Sequence, residues 1–185
     1  MGEGTRENRR LGCNRCFCRL DSLFVRISII MERNDIICMF KRISAAVDGS
    51  TISIHALDYA AEIANQNEAE LTIISVIEPI PAFYAGSSIA LEKEMHEIAE
   101  ENYKKLHREQ RKRLEEKYPG LNVTCLIEEG KAAEVIKEAS GDSDLLVLGH
   151  RGLGGLLSVL LGSVAKQVVE SCTVPVLVVK EKESC

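Results

Sequence analysis

The chain has 185 residues, 45% of them hydrophobic and 28% charged, enough for one core, too few for two full α/β domains, and unlike collagen-like, coiled-coil or wholly disordered chains. Its net charge of −5 argues against nucleic acid as a main partner, because an acidic surface repels a phosphate backbone at long range. No uninterrupted aliphatic run exceeds the four residues Leu145 to Leu148, against roughly 18 for a bilayer crossing, so a soluble protein without a membrane partner is expected.

Charge and cysteine are unevenly spread. Residues 1–38 carry seven Arg and five acids, a net +2, while the remainder carries −7. Asp21, Arg26 and Glu32 interrupt the hydrophobic run that a signal peptide would need. Residues 1–38 are therefore expected to be an N-terminal extension, disordered or outside the fold, or upstream sequence taken in by an early start codon; the folded domain is read as 39–185, starting at Met39. Cys13, Cys16 and Cys18 have thiolate spacing suited to Zn²⁺, but Cys38 lies twenty residues on and the first histidine is His55. A reduced cluster is the plainer reading. Cys125 and Cys172 fall in apolar patterns and read as buried core thiols, consistent with a reducing cytoplasm.

Residues 41–47 (KRISAAV) read as a strand ending at Asp48-Gly49-Ser50, where Ser50 can cap a helix over 51–67 whose apolar positions Ile54, Leu57, Ala60, Ala61 and Ala64 recur at three and four. Residues 71–77 (LTIISVI) form a second strand, and 80–88 have no period and read as loop. A long charged helix is expected over 89–117, with Leu91, Met95, Ile98, Leu106 and Leu114 as a narrow apolar stripe and i to i+4 ion pairs on its solvated face. Tyr118-Pro119-Gly120 stops it. Residues 121–127 alternate as a strand, 132–139 as a short helix, and 144–149 (DLLVLG) as a strand buried on both faces. Gly162-Ser163 opens a last helix containing Val164, Val168, Val169 and Cys172, and 174–179 (VPVLVV) closes the chain as a strand that Pro175 confines to an edge or to a limited pairing site.

This alternation predicts an α/β fold: five parallel strands in an open sheet with helices on both faces. Ligands in such sheets settle beyond the carboxyl ends of the strands where the order reverses. The turn at Asp48 and the glycine-bearing segment from Gly149 to Gly162 follow the first and fourth strands. Glycines at Gly149, Gly152 and Gly162 let the backbone approach a ligand closely, and the segment ends at a helix whose free N–H groups and positive dipole end favour phosphate. Gly162 N–H, Ser163 N–H and the Ser163 hydroxyl are expected to donate there.

Gly149-x-x-Gly152, nine residues, Gly162-Ser163 resembles the ATP-binding signature of the universal stress protein family, its spacing fixed across fifteen positions. Val47-Asp48-Gly49-Ser50, Ser75-Val76-Ile77-Glu78 and the closing VPVLVV add to a resemblance that covers 39–185. It implies a Rossmann-like sheet of order 3-2-1-4-5, of the adenine nucleotide alpha hydrolase-like kind, paired as a homodimer through Val174 to Val179. It further implies ATP with Mg²⁺ or Mn²⁺. Asp48 would then lie at the ribose and metal, Val76 at the adenine, and Gly149, Gly152, Gly162, Ser163 and Val164 along the phosphates. His150 stands where the family mostly has Ser or Thr, and reads as a solvated loop residue; Arg151 is placed to pair with phosphate through its forked donors.

Catalytic patterns are sparse. Gly162-Ser163 lacks the Lys of a P-loop, and neither HExxH nor GxSxG occurs. An ATP-binding regulatory protein of the stress-response type, in which occupancy sets the conformation and an unidentified regulatory protein partner reads it, is the first reading. A slow ATP hydrolase or adenylyl-group enzyme on the same site, and a partner-binding module that never holds nucleotide, are the alternatives.

Overall fold

Strand and helix alternate as the apolar patterning predicts, in a computed structural model that describes residues 40–79, 89–153 and 161–180. The expectations for residues 1–38 and for the loop 80–88 lie outside the described residues, as does the stretch 154–160 of the glycine-bearing segment. Among the described residues the elements are β1 (Arg42–Ala46), α1 (Thr51–Asn67), β2 (Glu70–Ile77), α2 (Ile89–Lys117), β3 (Val123–Glu129), α3 (Ala132–Ala139), β4 (Leu145–Gly149), α4 (Ser163–Ser171) and β5 (Val176–Val179). β3 starts two residues later than its alternation suggested, because Leu121 N–H donates back to Tyr118 O at 3.1 Å and prolongs the turn. β5 starts after Pro175, which has no N–H to give; its carbonyl accepts from Leu146 N at 2.9 Å.

All four strand pairings are parallel and the order is β3-β2-β1-β4-β5. The chain winds outward from β1 to β3, then returns to lay β4 on the other side of β1, with Ile43 opposite Leu145 and Ala46 opposite Leu148. The reversal therefore falls between β1 and β4, and their carboxyl ends diverge into a crevice. At the opposite end, Asp144 Oδ2 accepts from Lys41 N and Arg42 N at 2.7 and 2.8 Å, which pins the start of β1 to β4 and holds this carboxyl below its ordinary pKa.

Each strand divides its side chains between two apolar layers, as the period of two requires. Ile43, Ala45, Leu71, Ile73, Leu145 and Val147 face α1 and the C-terminal half of α2, where the alanines at 56, 60, 61 and 64 let α1 lie close against the sheet. Ala46, Ile74, Leu146 and Leu148 face α3 and α4 through Ala133, Ile136, Ala165 and Val168. Cys125 and Cys172 are half-buried at the margins of these layers rather than inside them, which corrects their reading as core thiols.

The stripe on α2 also divides. Leu114 is buried and Leu106 packs on the core, but Leu91, Met95 and Ile98 are about half exposed. A helix of 29 residues spans roughly 44 Å at about 1.5 Å per residue, whereas the eight residues of β2 span roughly 26 Å, so the N-terminal turns of α2 run past the sheet. The charged face carries i to i+4 pairs such as Lys104–Glu100 at 2.6 Å and Arg111–Glu115 at 2.7 Å, while Arg108 reaches Glu101 seven residues back. Such exposed pairs stabilise little.

One polar chain is sealed in this layer. Ser75 Oγ donates to Val47 O at 2.6 Å and lies 2.8 Å from His107 Nε2. Since the hydroxyl proton goes to the carbonyl, Nε2–H donates to Ser75, and the buried Nδ1 is left without a partner among the described residues. Burial holds His107 below its ordinary pKa of 6.5.

Two outcomes follow from this packing. Leu146→Ala, at a fully buried position, should cost about 2–5 kcal/mol in urea unfolding. The unfolded chain protonates residue 107 near 6.5 and the folded chain only at lower pH, so the His107 contribution is fully present above 6.5 and is lost as pH falls through it. Denaturation at about pH 7.5 and about pH 5.5 should show a smaller acid loss in His107→Gln than in the unmutated protein; equal losses would assign the effect to other groups.

Candidate functional site

The end of β1 is built around one carboxylate. Asp48 Oδ1 accepts from Ser50 N at 3.0 Å and from Ser50 Oγ at 2.7 Å, and Oδ2 accepts from Leu153 N at 2.9 Å. Gly49, at φ 88°, makes the tight turn that a side chain would strain. Ser50 then caps α1 by accepting from Ser53 N at 3.2 Å. Burial alone would raise the Asp48 pKa; the Ser50 hydroxyl and amide, the Ser53 side chain and the Leu153 amide outweigh it and hold the carboxyl below its ordinary range. The group is ionised at neutral pH.

The segment after β4 is shaped by close approach. A Cβ on Gly149 would sit 2.7 Å from Ile52 Cγ2, and a Cβ on Gly152 would run into Asp48 Oδ2. A Cβ on Gly162 would lie 3.2 Å from Arg151 Cα and 3.4 Å from His150 O. His150 is not a solvated loop residue: it is buried, its N–H donates to Val179 O at 2.8 Å, and its Nδ1 lies 3.3 Å from the same oxygen. The residue stitches the segment to the end of β5. Its carbonyl in turn accepts from Gly162 N at 2.7 Å, which corrects the expectation that Gly162 N–H is available to a phosphate.

What remains available is the first turn of α4. Gly162 occupies the cap position and has no side chain to turn back on the helix, in contrast to Ser50 on α1. The N–H groups of Ser163, Val164 and Ala165 are too early for intrahelical bonds and have no partner among the described residues. The positive end of the helix dipole adds to their field. Arg151, half-exposed nearby, has no acidic partner among the described residues.

All eight residues singled out in the sequence, Asp48, Val76, Gly149, Arg151, Gly152, Gly162, Ser163 and Val164, line one cleft of about 660 Å³ at the β1–β4 crevice. That volume is in the range of small-molecule sites. Val76, Ile136 and Val164 give it an apolar wall; Asp48 and Glu78 give it two carboxylates. Glu78 Oε1 also accepts from Ala132 N at 3.2 Å at the start of α3. Among the described residues no group of three or more His, Cys, Asp or Glu is arranged to hold a metal ion. Among the lining residues that the sequence reading did not single out are Ile136 and Tyr103. Tyr103 is the sole Tyr, Phe or Trp on α2, a signal that periodicity does not weigh.

Comparison with known proteins places this geometry. The model of the universal stress protein family matches residues 39–180. Universal stress protein MJ0531 of Methanocaldococcus jannaschii is 33% identical over 147 residues, covering 77% of this chain and 84% of that one. Universal stress protein YxiE of Bacillus subtilis is 31% identical over 153 residues, covering 77% of this chain and 100% of that one. The solved structure of hypothetical protein MJ0577 superposes with a TM-score of 0.69 at 28% identity, covering 79% of this chain and 99% of that one. No helix among the described residues is long and apolar enough to cross a membrane. By the span of the family match and by relatives above 30% identity along most of its length, this chain belongs to the universal stress protein family.

Proposed function

We propose that the cleft binds ATP and that the protein works by occupancy, as a cytoplasmic homodimer in a stress response whose nucleotide state is read by a regulatory protein partner. The observation that carries this reading is the uncapped first turn of α4: three amide donors with no partner among the described residues, beside a guanidinium with no acidic partner among them, at the mouth of a cleft with an apolar wall. Three aligned N–H groups and a helix dipole suit a phosphate, and Arg151 can add a forked pair of donors. Ser163 contributes its hydroxyl. The apolar side chains Val76, Ile136 and Val164 suit the flat face of a base. The domain bearing the site is taken to run from 39 to 185, with 1–38 outside it.

A divalent cation, Mg²⁺ or Mn²⁺, fits this donor set as a companion of the nucleotide rather than a resident ion. Among the described residues Asp48 Oδ2 accepts one bond, from Leu153 N, which leaves a lone pair. One carboxylate with phosphates and water is how Mg²⁺ is usually held. When bound, the ion would neutralise phosphate charge. Asp48 would hold it while keeping the loop closed, and Arg151 and the α4 amides would orient the phosphates.

Binding is favoured over turnover by what surrounds the phosphate end. His150 is buried against β5, with its N–H and its Nδ1 both at the Val179 carbonyl. Among the described residues no Lys lines the cleft. ATP should therefore titrate into the purified protein in calorimetry, with hydrolysis in Mg²⁺ below about 0.1 per second, against an enzyme median near 10 per second; faster sustained turnover would favour the hydrolase. Gly152→Val, which drives a side chain into Asp48, and Gly162→Val, which pushes on the Arg151 backbone, should abolish binding while circular dichroism stays unchanged. Retained affinity in both would move the site elsewhere.

The dimer is proposed through β5. Among the described strands it pairs with β4 alone, leaving one row of backbone groups open beside half-buried Val176, Leu177 and Val178. Val174 and Val176 pack on the α3–α4 layer and Leu177 on the other, whereas Val178 joins neither. Sedimentation should give a dimer at micromolar concentration, and Val178→Lys should split it; a monomer in the unmutated protein would refute this edge as the interface.

A further inference from the structure

The inner face of α2 is anchored at the cleft by residues spaced three and four apart. Leu106 lies over the β1–α1 turn, its Cδ2 3.6 Å from where a Cβ on Gly49 would stand. His107 bonds Ser75, which bonds the carbonyl of Val47, a lining residue. One turn earlier on this face stands Tyr103, which lines the same cleft as Asp48 and Glu78. Its phenol is half-buried and has no hydrogen-bond partner among the described residues. Burial first, then the charges of Asp48 and Glu78, push its pKa above 10.0. At neutral pH the hydroxyl is therefore a donor.

Charge decides which part of a ligand meets it. Two carboxylates act on Tyr103, so a bare phosphate is disfavoured beside its ring and would meet Asp48 only through a bound cation, while sugar hydroxyls and a base face no such repulsion. The anion has its own attractors in Arg151 and the first turn of α4. An aromatic ring also offers a large apolar face at small entropic cost, since few torsions need fixing.

We propose that Tyr103 is a ligand-contact residue, packing its ring on the sugar–base part of the bound nucleotide and donating its hydroxyl to that part. This rests on the reading that the cleft holds a nucleotide, and it adds a wall from α2 that the glycine signature does not contain. α2 thereby becomes an element that sets which uncharged group is accepted, while α4 sets the affinity for phosphate.

The test is calorimetric titration of the full chain with ATP, and with adenosine as competitor, for the unmutated protein, Tyr103→Phe, Tyr103→Ala and Arg151→Ala. Tyr103→Phe should weaken ATP about three- to tenfold, the loss of one neutral hydrogen bond. Tyr103→Ala should weaken it by about tenfold or more, because the ring is lost as well, and adenosine should weaken by the same factor. Arg151→Ala should weaken ATP and leave adenosine unchanged. Unmutated protein that binds ATP together with a Tyr103→Ala variant that binds it equally well would overturn the proposal, as would a Tyr103→Ala variant that loses ATP but keeps its affinity for adenosine. Unmutated protein that binds neither compound would instead overturn the nucleotide reading itself, and this inference with it.

Discussion

The Asp48 carboxylate joins two segments that the chain separates by more than a hundred residues. One oxygen organises the turn that ends β1 and starts α1, through Ser50; the other takes the amide of Leu153, past the end of β4. Parallel strands do not fix how the loops beyond their carboxyl ends lie, since each loop leaves the sheet without a partner of its own. Here one ionised side chain supplies that partner. Gly152 is required by the same contact, because any Cβ there would occupy the position of the carboxylate oxygen. The crevice at the sheet reversal is thus held as a cleft with a defined floor.

From this constraint the two helix starts acquire different meanings. Both α1 and α4 begin at the carboxyl end of the sheet, beside β1 and β4. α1 is closed by Ser50, whose hydroxyl serves the helix and the Asp48 carboxylate together. α4 is left open by Gly162, and the one amide that could have joined its exposed set, that of Gly162, is consumed by His150 O. His150 ties the same backbone to Val179, so the phosphate side of the cleft and the edge strand share a fixed connection. A stabilising device and a receptive one stand side by side, and the difference is one side chain at the cap.

The layout was legible in the sequence wherever period and punctuation coincided. Four aliphatics between Asp144 and Gly149 identified β4, Ser50 marked the α1 cap, and the spacing from Gly149 to Ser163 brought the candidate residues to one cleft. Partners were not legible, because a pattern gives faces and not neighbours. Nothing local says that the Gly162 amide goes to a carbonyl twelve residues back, or that His150 is buried against β5. The exposure of Leu91, Met95 and Ile98 has a similar cause: apolar spacing shows that a stripe exists, but only the length of the strands beneath decides how much of it is covered. Tyr103 and His107 were passed over since both sit in a helix read for its charges, and their significance comes from where α2 crosses the sheet.

The central claim is that a nucleotide sits on the uncapped turn of α4 against the loop held by Asp48. Amide hydrogen exchange with and without ATP and Mg²⁺ tests it directly. Slowed exchange at Ser163, Val164, Ala165 and Leu153 on adding the nucleotide is the expected result, and unchanged exchange there, with or without protection elsewhere in the chain, would contradict it.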